Sequence, residues 1–299
     1  MISPLARQLI EHELGGIRLL GYSVAGEETV VAAPELNVCF DVGRAPVEII
    51  AVDHVLLTHG HMDHAAGVPY YFAQRNFQGI ESGTVVAPLE MVRPLEDLMA
   101  AWARVEGHGP GHPHRIVGVR EGEDYEIRRG LVARAFGVRH SPPSLGYCVI
   151  DVRQKLKAEF LGLTGPQIVE LKKAGTAITD RVEYPLVAYP GDTARKNFSD
   201  LPFVANAKVF LLECTFFDPE HIPRARAGKH IHVTDLPEVL EGMKNEHIVI
   251  VHVTRRTNMA EARKLLKNSL RKEIAERITF LMSRKYLRFH YYQNYQMNH

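Results

Sequence analysis

The sequence of 299 residues predicts an α/β layered domain. Short apolar runs rich in Val, Ile, Leu and Phe recur along most of the chain, and Gly, Pro and Asn residues bound them, as expected of buried strands. Segments with helical spacing lie between these runs, which is the order of elements in α/β proteins. Because the chain contains neither a short internal repeat nor a long linker rich in Pro, Gly and Ser, we expect a single domain over residues 1–299.

The predicted strands are the apolar runs, and the hydrophobic content of 45% supplies side chains for a large core. They cover residues 17–26, 28–34, 36–43, 51–60, 84–88, 131–138, 147–152, 186–192, 208–214 and 247–253. Helices are predicted at residues 64–75, 89–104, 234–244 and 258–277. In the last of these, a spacing of four places Ala262, Leu266, Leu270 and Ile274 on one buried face. We expect Trp102, in the second helix, to pack in the core.

The composition excludes several classes of protein. The net charge of +1 with neutral histidines gives no general signature of polyanion binding, so a nucleic-acid contact would need a local basic patch. The three cysteines form no CxxC pair, which favours a reduced compartment without disulfides. Neither a signal peptide nor an apolar stretch of about 18 residues is present, so we expect a cytoplasmic protein without membrane contact.

The stretch LLTHGHMDHAAGVPYY (56–71) crowds titratable side chains at the end of an apolar run, where packing alone does not require them. His59, His61, Asp63 and His64 form the pattern H-x-H-x-D-H. Imidazole nitrogens and carboxylate oxygens suit Zn²⁺, and also Mn²⁺ or Fe²⁺. Alternate residues of an extended turn point the same way, so we expect one ion near the first two histidines and a second ion near the other two side chains.

One such cluster cannot complete the coordination of two ions, so further ligands are expected downstream. His140, Asp192 and His252 each follow a predicted strand, and the two carboxylate oxygens of Asp192 could bridge both ions. A structural zinc site would be rich in cysteine and closed, whereas this set contains only His and Asp. A pair of ions activates water near neutral pH and clamps a displacement at phosphorus, so the pattern predicts hydrolysis.

These motifs resemble the tRNase Z family of the metallo-β-lactamase superfamily, and in particular its short, plant-like form. The resemblance covers about residues 17–257 and includes THGHMDH, PGDT, LLECTFFD, KHIH and HVTRR. The family comparison implies an αββα four-layer sandwich with a short substrate-binding insertion. It also implies a homodimer and the removal of 3′ trailers from precursor tRNA by two-metal phosphodiester hydrolysis, with two Zn²⁺ per chain.

The resemblance also implies a role for each site residue. One ion would be held by His59, His61, His140 and Asp192, and the other by Asp63, His64, Asp192 and His252. Asp63 would also act as general base. His230 would protonate the leaving 3′ oxygen while Glu213 orients its ring, with His232 as a second candidate for the acid. Thr254 and Arg256 would hold the phosphate. Lys229 and Thr257 depart from the glycine and tyrosine that the family pattern has at these positions.

Residues 153–181, a lysine-dotted stretch between two predicted strands, match the element that contacts tRNA in the family. The contacts implied are those of Lys155, Lys157, Gly165, Pro166, Lys172 and Lys173. Solvated lysines on a surface helix are the simpler alternative. For the whole chain, the alternatives are a hydrolase of small phosphodiesters or thioesters on the same fold and a catalytically silent RNA-binding protein. The complete set of metal ligands disfavours the last.

Overall fold

The computed structural model describes residues 9–107, 109, 111–141 and 143–282, and two seven-stranded sheets form its centre. Each sheet contains strands that are consecutive in the chain. The first sheet consists of β1 (Ile10–Leu14), β2 (Ile17–Val24), β3 (Glu28–Ala33), β4 (Val38–Phe40), β5 (His54–Leu56), β6 (Thr84–Pro88) and β7 (Ile116–Val119). The second consists of β8 (Asp124–Arg128), β9 (Leu131–Gly137), β10 (Leu145–Leu156), β11 (Thr179–Tyr189), β12 (Val209–Glu213), β13 (His247–Val251) and β14 (Ile278–Phe280).

The same order of pairings occurs in both sheets. In each, the first four strands pair antiparallel, and the following strands add in parallel. The parallel strands β6, β12 and β13 are buried along almost their whole length, which explains their continuous apolar sequences. The edge strands β1 and β8 alternate in burial, as strands with one solvated face do.

The helices lie between and after the strands. They are α1 (Met62–Ala65), α2 (Val68–Phe77), α3 (Val92–Glu106), α4 (Gly165–Lys173), α5 (Pro202–Ala205), α6 (Ile222–Gly228), α7 (Leu236–Val239), α8 (Met259–Ser269) and α9 (Lys272–Ala275). Within the described ranges, no helix is both long and apolar enough to cross a bilayer. The sheets pack against each other, as the edge-on contact of Phe40 with Tyr189 at 5.6 Å shows, and the helices complete an αββα sandwich.

The strand directions bring several loops to one edge of the sandwich. In the second sheet β9, β11, β12 and β13 run the same way, and in the first sheet β2 and β4 run parallel to β5. A bridge between Val24 and Val253 joins the two sheets at the carboxyl ends of these strands. The loops after these strands therefore lie side by side, as site-forming loops do in other α/β folds.

The predicted helices require corrections. The helix expected at 64–75 is divided at Gly67 into α1 and α2, and the helix expected at 258–277 is divided because Leu270 adopts an extended backbone. The helix expected at 234–244 is reduced to one short turn, α7. Trp102 is 45% exposed, so the expectation that it packs in the core was wrong. Its helix, α3, buries Leu95, Met99 and Ala103 instead.

Residues 153–181 are only partly an insertion, because both neighbouring strands continue into them. Leu156 of β10 pairs with Thr179 of β11, and the antiparallel ladder runs without a break from there to Asp151 and Tyr184. A short turn and α4 connect the two strand ends. We call residues 153–181 the arm. It is an extended hairpin with a helix at its end.

Candidate metal centre

The H-x-H-x-D-H motif lies just beyond β5, where the chain passes from an extended segment into α1. His61 caps the helix with an extended backbone (φ −64°, ψ 147°), and Asp63 and His64 belong to the helix itself. This change of backbone direction divides the four polar side chains between two neighbouring clusters. The short sequence motif therefore contributes to both clusters at once.

The first cluster contains His59, His61, His140 and Asp192, which offer ligand atoms within 4.8 Å of one another. His59 Nε2 is 3.0 Å from His61 Nδ1, and His140 Nε2 is 3.3 Å from the same atom. Burial, with a smaller contribution from His64, lowers the pKa of His59 to about 2. His59 is therefore a neutral imidazole, which is the form that coordinates a metal.

The second cluster contains Asp63, His64 and His252. His252 Nε2 lies 3.3 Å from both Asp63 Oδ2 and His64 Nε2. His252 follows β13 with a φ of +57°, a conformation that residues other than glycine adopt at some cost and mostly where function requires it. The cluster joins His64 of α1 to a side chain that lies 188 residues further along the chain.

Asp192 lies between the two clusters and faces both. Its Oδ2 is 3.4 Å from His64 Nε2, 3.5 Å from His252 Nε2 and 3.7 Å from His59 Nε2. Burial raises the pKa of Asp192, but the neighbouring histidines hold it well below its usual value, so the group is a carboxylate. Its Oδ1 is buried and has no hydrogen-bond partner among the described residues.

This carboxylate fits a pair of cations. A buried charged oxygen without a donor is costly unless an ion coordinates it. Burial lowers the pKa of His64, yet Asp192 and Asp41 raise it more, so the site favours a positive charge at this position. The ligand atoms are imidazole nitrogens and carboxylate oxygens, and Zn²⁺, Mn²⁺ and Fe²⁺ all accept such a set.

Asp41 is a further residue of the centre, and it was not among the residues predicted from the sequence. It is fully buried directly after β4 and accepts hydrogen bonds from Thr58 N (2.8 Å), His64 Nδ1 (2.7 Å) and the Tyr189 hydroxyl (3.1 Å). The bond to Nδ1 leaves Nε2 of His64 for the cluster, which is how outer carboxylates fix a metal-binding histidine. An aspartate after an apolar run, in LNVCFDVG, was the available signal.

His230 lies beside the clusters with its ring held by a buried carboxylate. Its Nδ1 is 3.0 Å from Glu213 Oε1, so Nε2 is the nitrogen left for a substrate. Burial lowers the pKa of His230, but Glu213 raises it more, to about 9. Glu213 is itself fixed by Thr193 N at 2.9 Å and the Thr215 hydroxyl at 2.6 Å.

His232, the other candidate acid, occupies a different environment. It is fully buried, with Nδ1 at the hydroxyl of Thr234 (2.8 Å) and Nε2 at the carbonyl oxygen of Asp218 (3.0 Å). Because both ring nitrogens already have partners inside the protein, His232 is placed to stabilise its own turn. The geometry favours His230 as the acid.

The clusters open into a cleft with a volume of about 700 Å³. Thr254 and Arg256 line it, next to Phe216, Arg224 and Arg255. The cleft thus combines a cluster of candidate metal ligands with guanidinium groups, which are suited to a phosphate-containing substrate.

Comparisons with known proteins identify the family of this chain. A model of the β-lactamase superfamily domain matches residues 35–253. The tRNase Z TRZ1 of Arabidopsis thaliana is 33% identical over 252 residues, which cover 83% of this chain and 89% of the relative. The chain belongs to the tRNase Z family. The nuclear ribonuclease Z of Triticum aestivum is 39% identical over 173 residues, covering 57% of this chain and 96% of that protein.

Solved structures agree on the fold. The metallo-β-lactamase fold protein YhfI from Bacillus subtilis superposes with a TM-score of 0.58 at 12% identity, covering 91% of this chain and 94% of that one. The short form of human tRNase Z superposes with a TM-score of 0.52 at 14% identity, covering 92% and 93%. The predicted metallo-β-lactamase sandwich is therefore confirmed.

The arm residues predicted to bind substrate lie outside the cleft. Lys155, Lys172 and Lys173 are exposed on the arm. Gly165 and Pro166 begin α4, and Thr164 caps that helix. None of the arm residues predicted to bind substrate is among the described residues that line the cleft.

Proposed function

We propose that this chain is a metal-dependent endoribonuclease that removes the 3′ trailer from precursor tRNA and leaves a 3′-hydroxyl on the tRNA. The observation that carries the proposal is the position of Asp192 between two clusters, beside a histidine held by Glu213, in a chain of the tRNase Z family. Two named relatives are a tRNase Z and a ribonuclease Z. This arrangement supports hydrolysis of a phosphodiester.

Two Zn²⁺ ions are the cofactor we propose, with Mn²⁺ or Fe²⁺ as ions that the same donors accept. The first would be held by His59, His61, His140 and Asp192, and the second by Asp63, His64, Asp192 and His252. When bound, such ions lower the pKa of a water molecule and neutralise charge on the phosphate.

The chain's own residues move the protons. Asp63 is a carboxylate at the cleft wall, so it can accept a proton from the attacking water. His230 donates a proton to the departing 3′ oxygen of the tRNA, which would otherwise leave as an alkoxide. Glu213 keeps the His230 ring in the orientation that presents Nε2 to the cleft. Thr254 and Arg256 hold the phosphate from the adjoining wall.

The arm is proposed as the part that distinguishes precursor tRNA from a small diester. Its lysines lie outside the cleft, so they can only contact a substrate much larger than the scissile phosphate. We propose that the protein is a homodimer in which the arm of one subunit serves the cleft of the other. The buried free cysteines Cys39, Cys148 and Cys214 support a cytoplasmic location.

The test of the activity uses zinc-loaded protein with two substrates, a precursor tRNA carrying a 3′ trailer and bis-p-nitrophenyl phosphate. We expect cleavage of the precursor to a tRNA with a free 3′-hydroxyl. Hydrolysis of the small diester alone would identify a small-substrate hydrolase on the same fold.

The test of the arm compares two double variants. Lys172→Ala with Lys173→Ala should weaken precursor binding and reduce the slope of log K against log salt by about 2 or slightly less, one phosphate contact for each lysine. Hydrolysis of bis-p-nitrophenyl phosphate should not change. Lys264→Ala with Lys267→Ala, on exposed positions of α8, is the control that should leave both unchanged. Equal loss on both substrates would contradict a role of the arm in binding tRNA.

The dimer is tested by mixing two variants that cleave precursor tRNA poorly for different reasons. One carries Asp192→Ala and has an intact arm, and the other carries the arm substitutions and has an intact cleft. If one subunit's arm serves its partner's cleft, mixed dimers cleave precursor tRNA faster than either variant alone. Sedimentation of the wild-type chain as a monomer, or a mixture no more active than the separate variants, would argue against the shared arrangement.

A further inference from the structure

Glu27 is an acidic residue on the wall of a cleft that we propose binds RNA. A free carboxylate there would repel phosphates. Glu27 is not free, because it belongs to a tight turn between β2 and β3 and pairs with the guanidinium of Arg255.

The turn at Val24–Glu27 contacts the metal centre directly. Glu27 N donates to Val24 O at 3.0 Å, which closes the turn, and Gly26 adopts a φ of +71°, for which glycine is suited. Gly26 N then donates to Asp63 Oδ2 at 2.8 Å. This amide fixes one oxygen of the carboxylate that would act as both ligand and base.

Arg255 fastens the same turn from the second sheet. Its Nε and Nη2 donate to the two carboxylate oxygens of Glu27, and Ala25 N donates to Val253 O at 3.1 Å. The Glu27 and Arg255 side chains are only 27% and 23% exposed. A two-pronged pair of this kind fixes geometry as well as charge. Nε and Nη2 are therefore committed to Glu27, while Nη1 is buried and has no hydrogen-bond partner among the described residues.

We propose that Glu27 and Arg255 are positioning residues that act on Asp63 through the amide of Gly26. The pair holds the turn against the strand end that carries His252, so the donor at Gly26 stays aligned with Asp63. Without this pair the turn can move, and Asp63 of the second cluster then loses the hydrogen bond that fixes its Oδ2. The proposal rests on the proposed metal centre, but its test does not require RNA cleavage.

The experiment measures Zn²⁺ affinity of chelator-treated protein by titration against a competing chelator. Glu27→Ala and Arg255→Ala should each weaken the more weakly bound ion by about 10-fold, at the lower end of the usual effect of outer-sphere residues. The double variant should bind Zn²⁺ no more weakly than either single variant, because each substitution breaks the same ion pair. Arg224→Ala, which removes a cation from the same cleft wall, is the control and should leave Zn²⁺ affinity unchanged.

A second comparison identifies the route of the effect. In an Asp63→Ala background the acceptor of the Gly26 amide is gone, so adding Glu27→Ala should change Zn²⁺ affinity no further. Wild-type affinity in both single variants, even with a lower unfolding midpoint, would reduce the pair to a structural role and overturn the proposal. Weaker precursor binding in Arg255→Ala alone, with unchanged Zn²⁺ affinity, would assign that residue to RNA and also overturn it. Failure to cleave any precursor would instead affect only the proposed function.

Discussion

Replacing Asp41 by Asn should weaken both the fold and the metal centre, although the two side chains have nearly the same shape. The carboxylate is fully buried and surrounded by donors, namely Thr58 N, the Thr58 hydroxyl, His64 Nδ1 and the Tyr189 hydroxyl. An amide offers one oxygen and one NH₂ group, so at least one donor must face another donor.

The magnitude follows from that mismatch. A buried donor left without a partner costs about 1–3 kcal/mol, and either orientation of the amide leaves one or two such donors. We therefore expect the free energy of unfolding to fall by about 1–6 kcal/mol. If the NH₂ group faces His64, the ring proton moves to Nε2, the nitrogen that belongs to the metal cluster. Zn²⁺ affinity should then fall about 10–100-fold.

The assay combines urea unfolding of chelator-treated protein with Zn²⁺ titration, and Asp53→Asn is the matched control. Asp53 accepts from Arg75 at 2.6 Å, but its side chain is 47% exposed and lies away from the ligand cluster. Arg75 is fully buried, but the amide oxygen of Asn can still accept its hydrogen bond, so this variant should lose less stability than Asp41→Asn and leave Zn²⁺ affinity unchanged. An Asp41→Asn protein that unfolds like wild type and binds zinc equally well would refute the reasoning.

Three further predictions follow from the same site and its neighbours. His230→Ala should slow precursor cleavage by about 10²–10⁴-fold with unchanged metal content, whereas His232→Ala should chiefly lower the unfolding midpoint. Asp192→Ala should lose the most bound metal of any single ligand variant, as measured by elemental analysis, since this carboxylate faces both clusters. Burial raises the pKa of Asp235, but the hydrogen bonds from Arg226 and the His232 amide, together with the charge of Arg226, outweigh it and lower the pKa. The resulting stability is present above the unfolded pKa of about 4 and lost as pH falls through the folded value, and Asp235→Asn should remove that dependence in acid unfolding curves.

The metal centre could be proposed from sequence because its ligands have local signals. Four polar side chains of one motif follow a single strand, and His140, Asp192 and His252 each follow an apolar run. Strands with common direction end at one edge, so polar residues after them meet there. The family resemblance favoured His230 over His232 as the acid, and the fold adds the physical reason, because it shows which ring is enclosed.

The residues that sequence reasoning missed are those whose partners are distant in the chain. The Glu27–Arg255 pair joins positions 228 residues apart, and no local pattern marks either residue. The edge strands β1 and β8 were missed because their sequences, IEHEL and DYEIR, are half charged. The outer ends of β10 and β11 were assigned to an insertion for the same reason, since their solvated lysines and arginines hide the alternation of a strand.

The division of the centre between the two sheets has a consequence for how the protein is made. The motif of His59 to His64 follows β5 of the first sheet, but His252 follows His64 by 188 residues. At about 5–20 residues per second, a ribosome needs about 10–40 s to proceed from one to the other. During that interval the nascent chain carries a histidine-rich cluster whose remaining ligands do not yet exist. Tight ion binding must therefore await the second sheet, and its free energy then favours the joined halves over the separate ones. We therefore expect the metal ions to bind late in folding and to stabilise the contact between the two halves.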